Sequence, residues 1–246
     1  MQDVDIKTAD GVMDAKLVRP EGPGAWPAVI MLPDGFGVRP VFESMARQLS
    51  SQGFVVLLPN VFYRDGHASR LEIANGSFAD EAFRTRLYAL IGSLTPARQK
   101  VDAAAELDFL AGLPFVKGQK AGVAGYCFSG GLAVRMAADF PDRIGAVASS
   151  HGGRLATDAP DSPHLLLGDV KAELYFGHAD QDGSMPLADI QRLEEALRAS
   201  GLKFRSELYP GALHGYSVEG RPAFNAQVAQ THWDRLFDLF GRTLPR

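Results

Sequence analysis

The 246-residue chain has a single cysteine, Cys127, so no disulfide can form within it and a cluster of thiolate metal ligands is excluded. No apolar run approaches the ~20 residues that span a bilayer. The 25 basic and 29 acidic residues nearly balance and form no basic stripe, which argues against nucleic acid or an anionic membrane as partner. Histidines at metal-ligand spacing, internal repeats and low-complexity tracts are also missing. The first residues, Met1-Gln2-Asp3-Val4-Asp5, carry neither the basic nor the apolar region of a signal peptide. A cytoplasmic, non-membrane protein is the expectation, in a compartment that keeps a thiol reduced. With 46% hydrophobic and 22% charged residues, the chain can bury a large core and reads as one domain over 1–246.

What is present is organised around Val123-Ala124-Gly125-Tyr126-Cys127-Phe128-Ser129-Gly130-Gly131. An apolar run enters it and an apolar, helix-forming run, Leu132 to Ala138, leaves it. Strand, sharp glycine-flanked turn and helix are the layout of a nucleophile elbow, with Cys127 at the position of the usual serine. A helix N-terminus favours negative charge, which suits a nucleophilic thiolate. Ser129 stands where the pattern has glycine.

The rest of the chain alternates between short apolar runs and amphipathic stretches. Strands are expected at Val4 to Ile6, Met13 to Leu17, Pro27 to Leu32, Phe54 to Leu58, Ile144 to Ser149, Ala172 to Phe176 and Phe204 to Tyr209. Helices are expected from about Pro40 to Gln52, Ala79 to Gly92, Thr95-Pro96 to Leu110, Leu187 to Ser200 and Ala223 to Phe240. Val101, Ala105, Leu107 and Leu110 form the expected inner face of the third. Residues 60–77 and 153–168 read as irregular. The alternation predicts an α/β fold with a mostly parallel sheet and helices on both faces. Ligands of such sheets bind beyond the C-terminal strand ends. There the sequence puts Asp34 to Gly37, Cys127, Asp180 to Asp182 and His214.

A nucleophilic thiol needs a base, and the base needs a partner that fixes its tautomer. Nucleophile, acid, histidine is the hydrolase chain order, and Cys127, Asp180 or Asp182, and His214 supply it. Of six histidines, His214 alone follows the acid loop between glycines; His151, in a Gly-Gly loop, is a candidate pocket residue. Asp182, four residues before Pro186, is the favoured acid, with Asp180 shaping the loop. Backbone N–H groups of Phe128 and Gly35 are the expected oxyanion hole. Asp34 is expected to contact the thiol. Phe36, Tyr63, Phe128 and Tyr216 are candidates for an apolar pocket.

Together Gly125 to Gly131, Pro33-Asp34-Gly35-Phe36-Gly37, Ala179 to Asp182 with Pro186, and Gly211 to Tyr216 resemble the dienelactone hydrolase family (carboxymethylenebutenolidase-like). The resemblance implies an α/β-hydrolase fold and a Cys127-Asp182-His214 triad that cleaves an ester or lactone through a thioester, without metal or organic cofactor. It also implies a small-molecule ester or lactone as partner; the chain itself is expected to be a monomer or homodimer. The sequence departs from the family where Asp34 replaces a glutamate and Ser129 a glycine. No arginine closely follows His214; Arg221 is the first, with Arg84 and Arg86 as further candidates for binding a substrate anion. The rival readings are a non-catalytic small-molecule binding protein on the same scaffold and a thiol redox sensor. A cysteine phosphatase is disfavoured because Arg135, the next arginine, is too far from Cys127.

Overall fold

Continuous apolar runs become the inner strands, since a strand covered on both faces must be apolar at every position. In the computed structural model, which describes residues 1–244, the strands are Gln2–Thr8 (β1), Gly11–Val18 (β2), Ala28–Leu32 (β3), Val55–Pro59 (β4), Ala121–Tyr126 (β5), Ile144–Ser150 (β6), Glu173–Gln181 (β7) and Phe204–Leu213 (β8). They form one eight-stranded sheet in the order β1-β2-β4-β3-β5-β6-β7-β8. The β1–β2 and β2–β4 pairings are antiparallel and all others parallel. This is the α/β-hydrolase arrangement, with two antiparallel strands at one edge.

The helices are Pro40–Ser50 (α1), Glu81–Ser93 (α2), Pro96–Ala111 (α3), Ser129–Asp139 (α4), Leu187–Ser200 (α5) and Ala226–Thr243 (α6). Side chains alternate across the sheet with the period of two that strand geometry dictates. Ile30 and Leu32 of β3 join Leu87, Leu107, Val134 and Leu193 from α2 to α5 on one face. Val29 and Met31 join Phe42, Leu49, Trp233, Leu236 and Phe240 from α1 and α6 on the other. Thr95 caps α3, its hydroxyl accepting the Arg98 N–H, ahead of Pro96 at the first helical position, as the Thr-Pro pair suggests.

Three local expectations need correction. The inner face of α3 is Asp102, Ala103, Glu106, Leu107 and Leu110, while Val101 and Ala105 are only half-buried. Asp102 is drawn inward by Arg64 (2.7 Å) and by the Tyr63 hydroxyl (2.9 Å), partners almost forty residues away in sequence. Beside it Glu106 is fully buried, and burial together with the Asp102 charge holds its carboxyl well above the usual range. Strand β7 runs on to Gln181, and β8 passes through Pro210 and Gly211 to Leu213. The two extensions pair with each other, Gln181 opposite Leu213, and so deliver Asp182 and His214 side by side. No helix among the described residues is long and apolar enough to cross a membrane.

Candidate active site

The elbow is built by close approach. β5 ends at Tyr126 and α4 begins at Ser129, which leaves two residues for the reversal. Cys127 occupies left-handed backbone at φ 61°, a conformation that costs a non-glycine residue of order 1–3 kcal/mol and persists only where its surroundings enforce it. Here the Cys127 N–H donates to Ser150 O (3.1 Å), and its carbonyl accepts from the N–H groups of Gly130 (3.1 Å) and Gly153 (3.3 Å). Ser129 is more than a small residue in glycine's place. Its buried Oγ accepts the Tyr126 N–H (2.8 Å) and lies 2.9 Å from the carbonyls of both Tyr126 and Leu32. One hydroxyl thereby ties the elbow to the end of β3, where the predicted oxyanion loop begins.

Gly35 of that loop and Phe128 of the elbow lie with Cys127 along an open cleft of about 1160 Å³, which His151, Asp182 and His214 also line. Among the described residues no group accepts a hydrogen bond from the N–H of Gly35 or Phe128. Both are thus available as oxyanion donors. Asp34 lines the cleft as well, but its hydrogen bonds go elsewhere than the expected thiol. Oδ1 accepts from Arg39 (2.5 Å) and from the Phe36 N–H (2.9 Å), and Oδ2 accepts from the second Arg39 nitrogen (2.8 Å). The bidentate pair is buried. With the Phe36 N–H it takes three of the carboxylate's roughly four acceptor sites, so Asp34 serves to brace the loop that carries Gly35.

On the far side His214 donates from Nδ1 to Asp182 Oδ2 at 2.6 Å. Asp182 Oδ1 accepts from the Ser184 N–H (2.8 Å) and hydroxyl (2.6 Å), which fixes the carboxylate plane. Asp180 instead takes the Gly211 N–H (2.9 Å), binding β7 to β8 as a loop-shaping residue. Burial disfavours the charged imidazolium of His214, yet the hydrogen bond and charge of Asp182 and the adjacent Cys127 sulfur outweigh it and push its pKa up to about 10. Burial likewise works against the Asp182 carboxylate, but His214 and Ser184 hold it below the usual range.

The sign of each shift sets a pH window. The contribution of His214 to folding is complete below its ordinary value of 6.5 and is lost as pH rises through about 10. That of Asp182 is present above 3.8 and is lost as pH falls below it. Imidazole ¹H–¹⁵N spectra are therefore expected to show His214 protonated at pH 8, with its midpoint near 10. A midpoint near 6.5 would mean that the pairing is absent.

The other histidines sort by environment. His151 is buried at φ 40°, bonds Ser217 Oγ (2.9 Å) and lies edge-on to His214 with ring centroids 5.3 Å apart. Burial and the neighbouring His214 and His232 press its pKa well down, so it lines the pocket as a neutral ring. His232 is sealed between Ser150 and Tyr126 and pushed down to about 3 by burial.

Of the proposed pocket aromatics, Phe36 and Phe128 line the cleft. Tyr63 and Tyr216 are buried, Tyr216 donating to Gly177 O at 3.1 Å. Arg84 donates to the Phe78 carbonyl, and neither it nor Arg86 lines the cleft. Arg221 does, but its guanidinium is engaged with Ala74 O (2.9 Å) and Gly76 O (3.4 Å) and stacks 3.6 Å above Phe36. The cleft's other arginine is Arg154, at φ 55° with its N–H on Ser184 O (2.7 Å). Sequence reasoning missed it, although it follows His151-Gly152-Gly153 directly. Among the described residues, Cys127, His151 and Arg154 are three of the four non-glycine residues with positive φ, and all three line this cleft. Backbone strain is concentrated where the chemistry would be.

Comparison with known proteins shows the family of the chain. Residues 13–244 match the family model described as "Dienelactone hydrolase family". Proteins provisionally named carboxymethylenebutenolidase are similar over most of their length. The one from Methylorubrum extorquens is 28% identical, covering 97% of this chain and 79% of the relative. The one from Synechocystis is 29% identical, covering 91% and 89%. A crystal structure provisionally named a dienelactone hydrolase, from Klebsiella pneumoniae, superposes with a TM-score of 0.86 at 21% identity, covering 98% of both chains.

Proposed function

We propose that this chain, which belongs to the dienelactone hydrolase family and is a hydrolase of that kind, cleaves a carboxylic ester or lactone with Cys127 as nucleophile, His214 as proton carrier and Asp182 as its orienting acid. The observation that carries the reading is the strained Cys127 backbone, at φ 61°, facing a histidine whose other ring nitrogen is held by a buried carboxylate at 2.6 Å. Strain of this kind exposes one side chain at a helix N-terminus and serves no packing purpose.

The proton that Cys127 gives up in becoming the nucleophile sits on His214, where the hydrogen bond and charge of Asp182 favour it. The thiolate attacks the ester carbonyl, forming the C–S bond while the carbonyl π electrons move onto oxygen. The N–H groups of Gly35 and Phe128 hold that oxyanion. As the carbonyl re-forms, the C–O bond to the leaving alcohol breaks and His214 gives its proton to the departing oxygen. Neutral His214 then takes a proton from water, whose oxygen attacks the thioester. Collapse of the second oxyanion breaks the C–S bond, releases the acid and frees the Cys127 sulfur.

The test is intact-protein mass after brief mixing with p-nitrophenyl acetate, for wild type, Cys127→Ala and His214→Ala. We expect a transient acetyl adduct of about 42 Da in the wild type, none in Cys127→Ala, and turnover lowered at least ~10³-fold in both variants. Undiminished turnover by Cys127→Ala would sink the mechanism.

A further inference from the structure

The residues that line the cleft fall into two groups by the contacts they make. One group belongs to His214, with Leu213, Ser184 and Arg154 around it. The other belongs to α2 and the segment before it. A Cβ built on Gly35 would sit 3.3 and 3.5 Å from the two methyls of Leu87 and 3.7 Å from Ile91 Cδ1, so these apolar side chains abut the predicted oxyanion loop directly. Tyr88 lies one residue along the same helix, and Phe78 precedes it; both line the cleft.

This second group is apolar yet uncovered. Phe78 is 50% and Tyr88 61% exposed. Large apolar side chains left open to water in one place mark a surface that something else covers. The wall is also held in place. Phe78 packs edge-on against Phe36 (5.5 Å) and Phe83 (5.9 Å), while Arg221 straps the Ala74 and Gly76 carbonyls over Phe36. Asp80 caps α2 by accepting the Ala82 N–H (2.9 Å). A preformed, rigid wall favours binding because little freedom is lost on contact.

The chemistry decides which part of the substrate meets it. His214 must reach the leaving oxygen to protonate it, so the alcohol portion lies on the His214 side. With the alcohol portion there, the part of the cleft lined by α2, next to Gly35, is what is left for the acyl portion. We propose that this α2 part is an acyl pocket for an apolar group of aromatic size, so that preferred substrates are esters of bulky apolar acids rather than acetate-sized ones. This rests on the hydrolase reading above.

The test compares p-nitrophenyl acetate with p-nitrophenyl 3-phenylpropanoate, which share a leaving group, each rate divided by its alkaline hydrolysis rate. We expect kcat/KM to favour the phenyl ester on the order of 30-fold in the wild type, the range a filled apolar pocket supplies. Tyr88→Ala should cut that preference roughly 5-fold and Tyr88→Phe should keep it, since the ring and not the hydroxyl makes the contact. Tyr88 is exposed, so neither variant should disturb folding; the urea midpoint checks this. Acylation of Cys127 by both esters with no phenyl preference, or with a preference indifferent to Tyr88→Ala, overturns the acyl pocket and leaves the hydrolase reading intact. No acylation by either ester overturns both. An absent preference together with a dimer that Tyr88→Ala dissociates, seen by sedimentation, also overturns it and makes this wall a self-association surface.

Discussion

Replacing Asp182 with asparagine should lower kcat/KM by on the order of 10²–10⁴-fold, the range associated with losing a properly held acid–base partner. The shape is almost conserved. An asparagine can still accept the Ser184 N–H, which now lies 2.8 Å from Oδ1, and can still reach His214 Nδ1. What disappears is the negative charge. Burial already opposes the imidazolium, and the strongest single interaction holding the proton on His214 against it is the hydrogen bond to Asp182, followed by the Cys127 sulfur. Without that charge the His214 midpoint should fall from about 10 toward or below its ordinary 6.5. The Cys127 sulfur then faces a neutral imidazole at neutral pH. Alkylation by iodoacetamide provides an activity-independent readout, and Cys127 should react more slowly in the variant at pH 7. Asp180→Asn is the matched comparison. Asp180 accepts the Gly211 N–H and makes no bond to His214, so its variant should keep activity within about 3-fold. Equal losses in the two variants would mean that the loop geometry matters and the acid identity does not.

How far the sequence carries depends on whether partners are near in the chain. Runs such as Ala28–Leu32 and Val55–Pro59 announce their strands because burial on both faces leaves no polar position to confuse the period. Cys127, Asp182 and His214 were legible through order and flanking glycines, which constrain backbone more tightly than composition does. The pairing of Gln181 with Leu213 was not, because it is a tertiary extension of two strands whose own residues, among them Asp180, Pro210 and Gly211, argue for loop. Asp102 and Glu106 on the inner face of α3 break the apolar pattern for a similar reason. Arg64, the partner of Asp102, arrives from an irregular segment, and Glu106 is buried beside that Asp102 charge. Asp34 is the instructive case. Arg39 stands only five residues away, yet glycines at 35 and 37 let the chain turn back on itself, and the carboxylate closes on the arginine instead of the thiol. Ser129 shows that a departure from a family pattern can be functional in its own right: a serine at this position makes three contacts that glycine cannot.

Gly125→Ala should be strongly damaging to folding. A Cβ at this position would lie 2.3 Å from the carbonyl oxygen of Ser129, 2.7 Å from its carbonyl carbon and 2.9 Å from Gly130 Cα. All three are backbone atoms of the first turn of α4, so no rotamer change relieves the clash. The helix must move off the strand. That movement pulls against the Ser129 hydroxyl bonds to Leu32 and Tyr126 and against the Gly130 N–H bond to the Cys127 carbonyl, the same contacts that hold the strained elbow. Overpacking a core usually costs about 1–3 kcal/mol, and rigid backbone on the receiving side puts this case at ~3 kcal/mol or more. For a domain with marginal stability, that is a large share of the total. The urea midpoint should fall accordingly, and any folded remainder should have lost esterase turnover because Cys127 no longer stands where Gly35 and Phe128 point. Gly92→Ala supplies the opposite sign from the same chemical change. Gly92 is the penultimate residue of α2 with nothing within 4 Å of its added Cβ, so alanine there should raise stability, by up to about 0.5–1 kcal/mol through helix propensity alone, and the urea midpoint with it. If the two variants shift stability in the same direction, the close approach of β5 and α4 is not what forces glycine before the elbow.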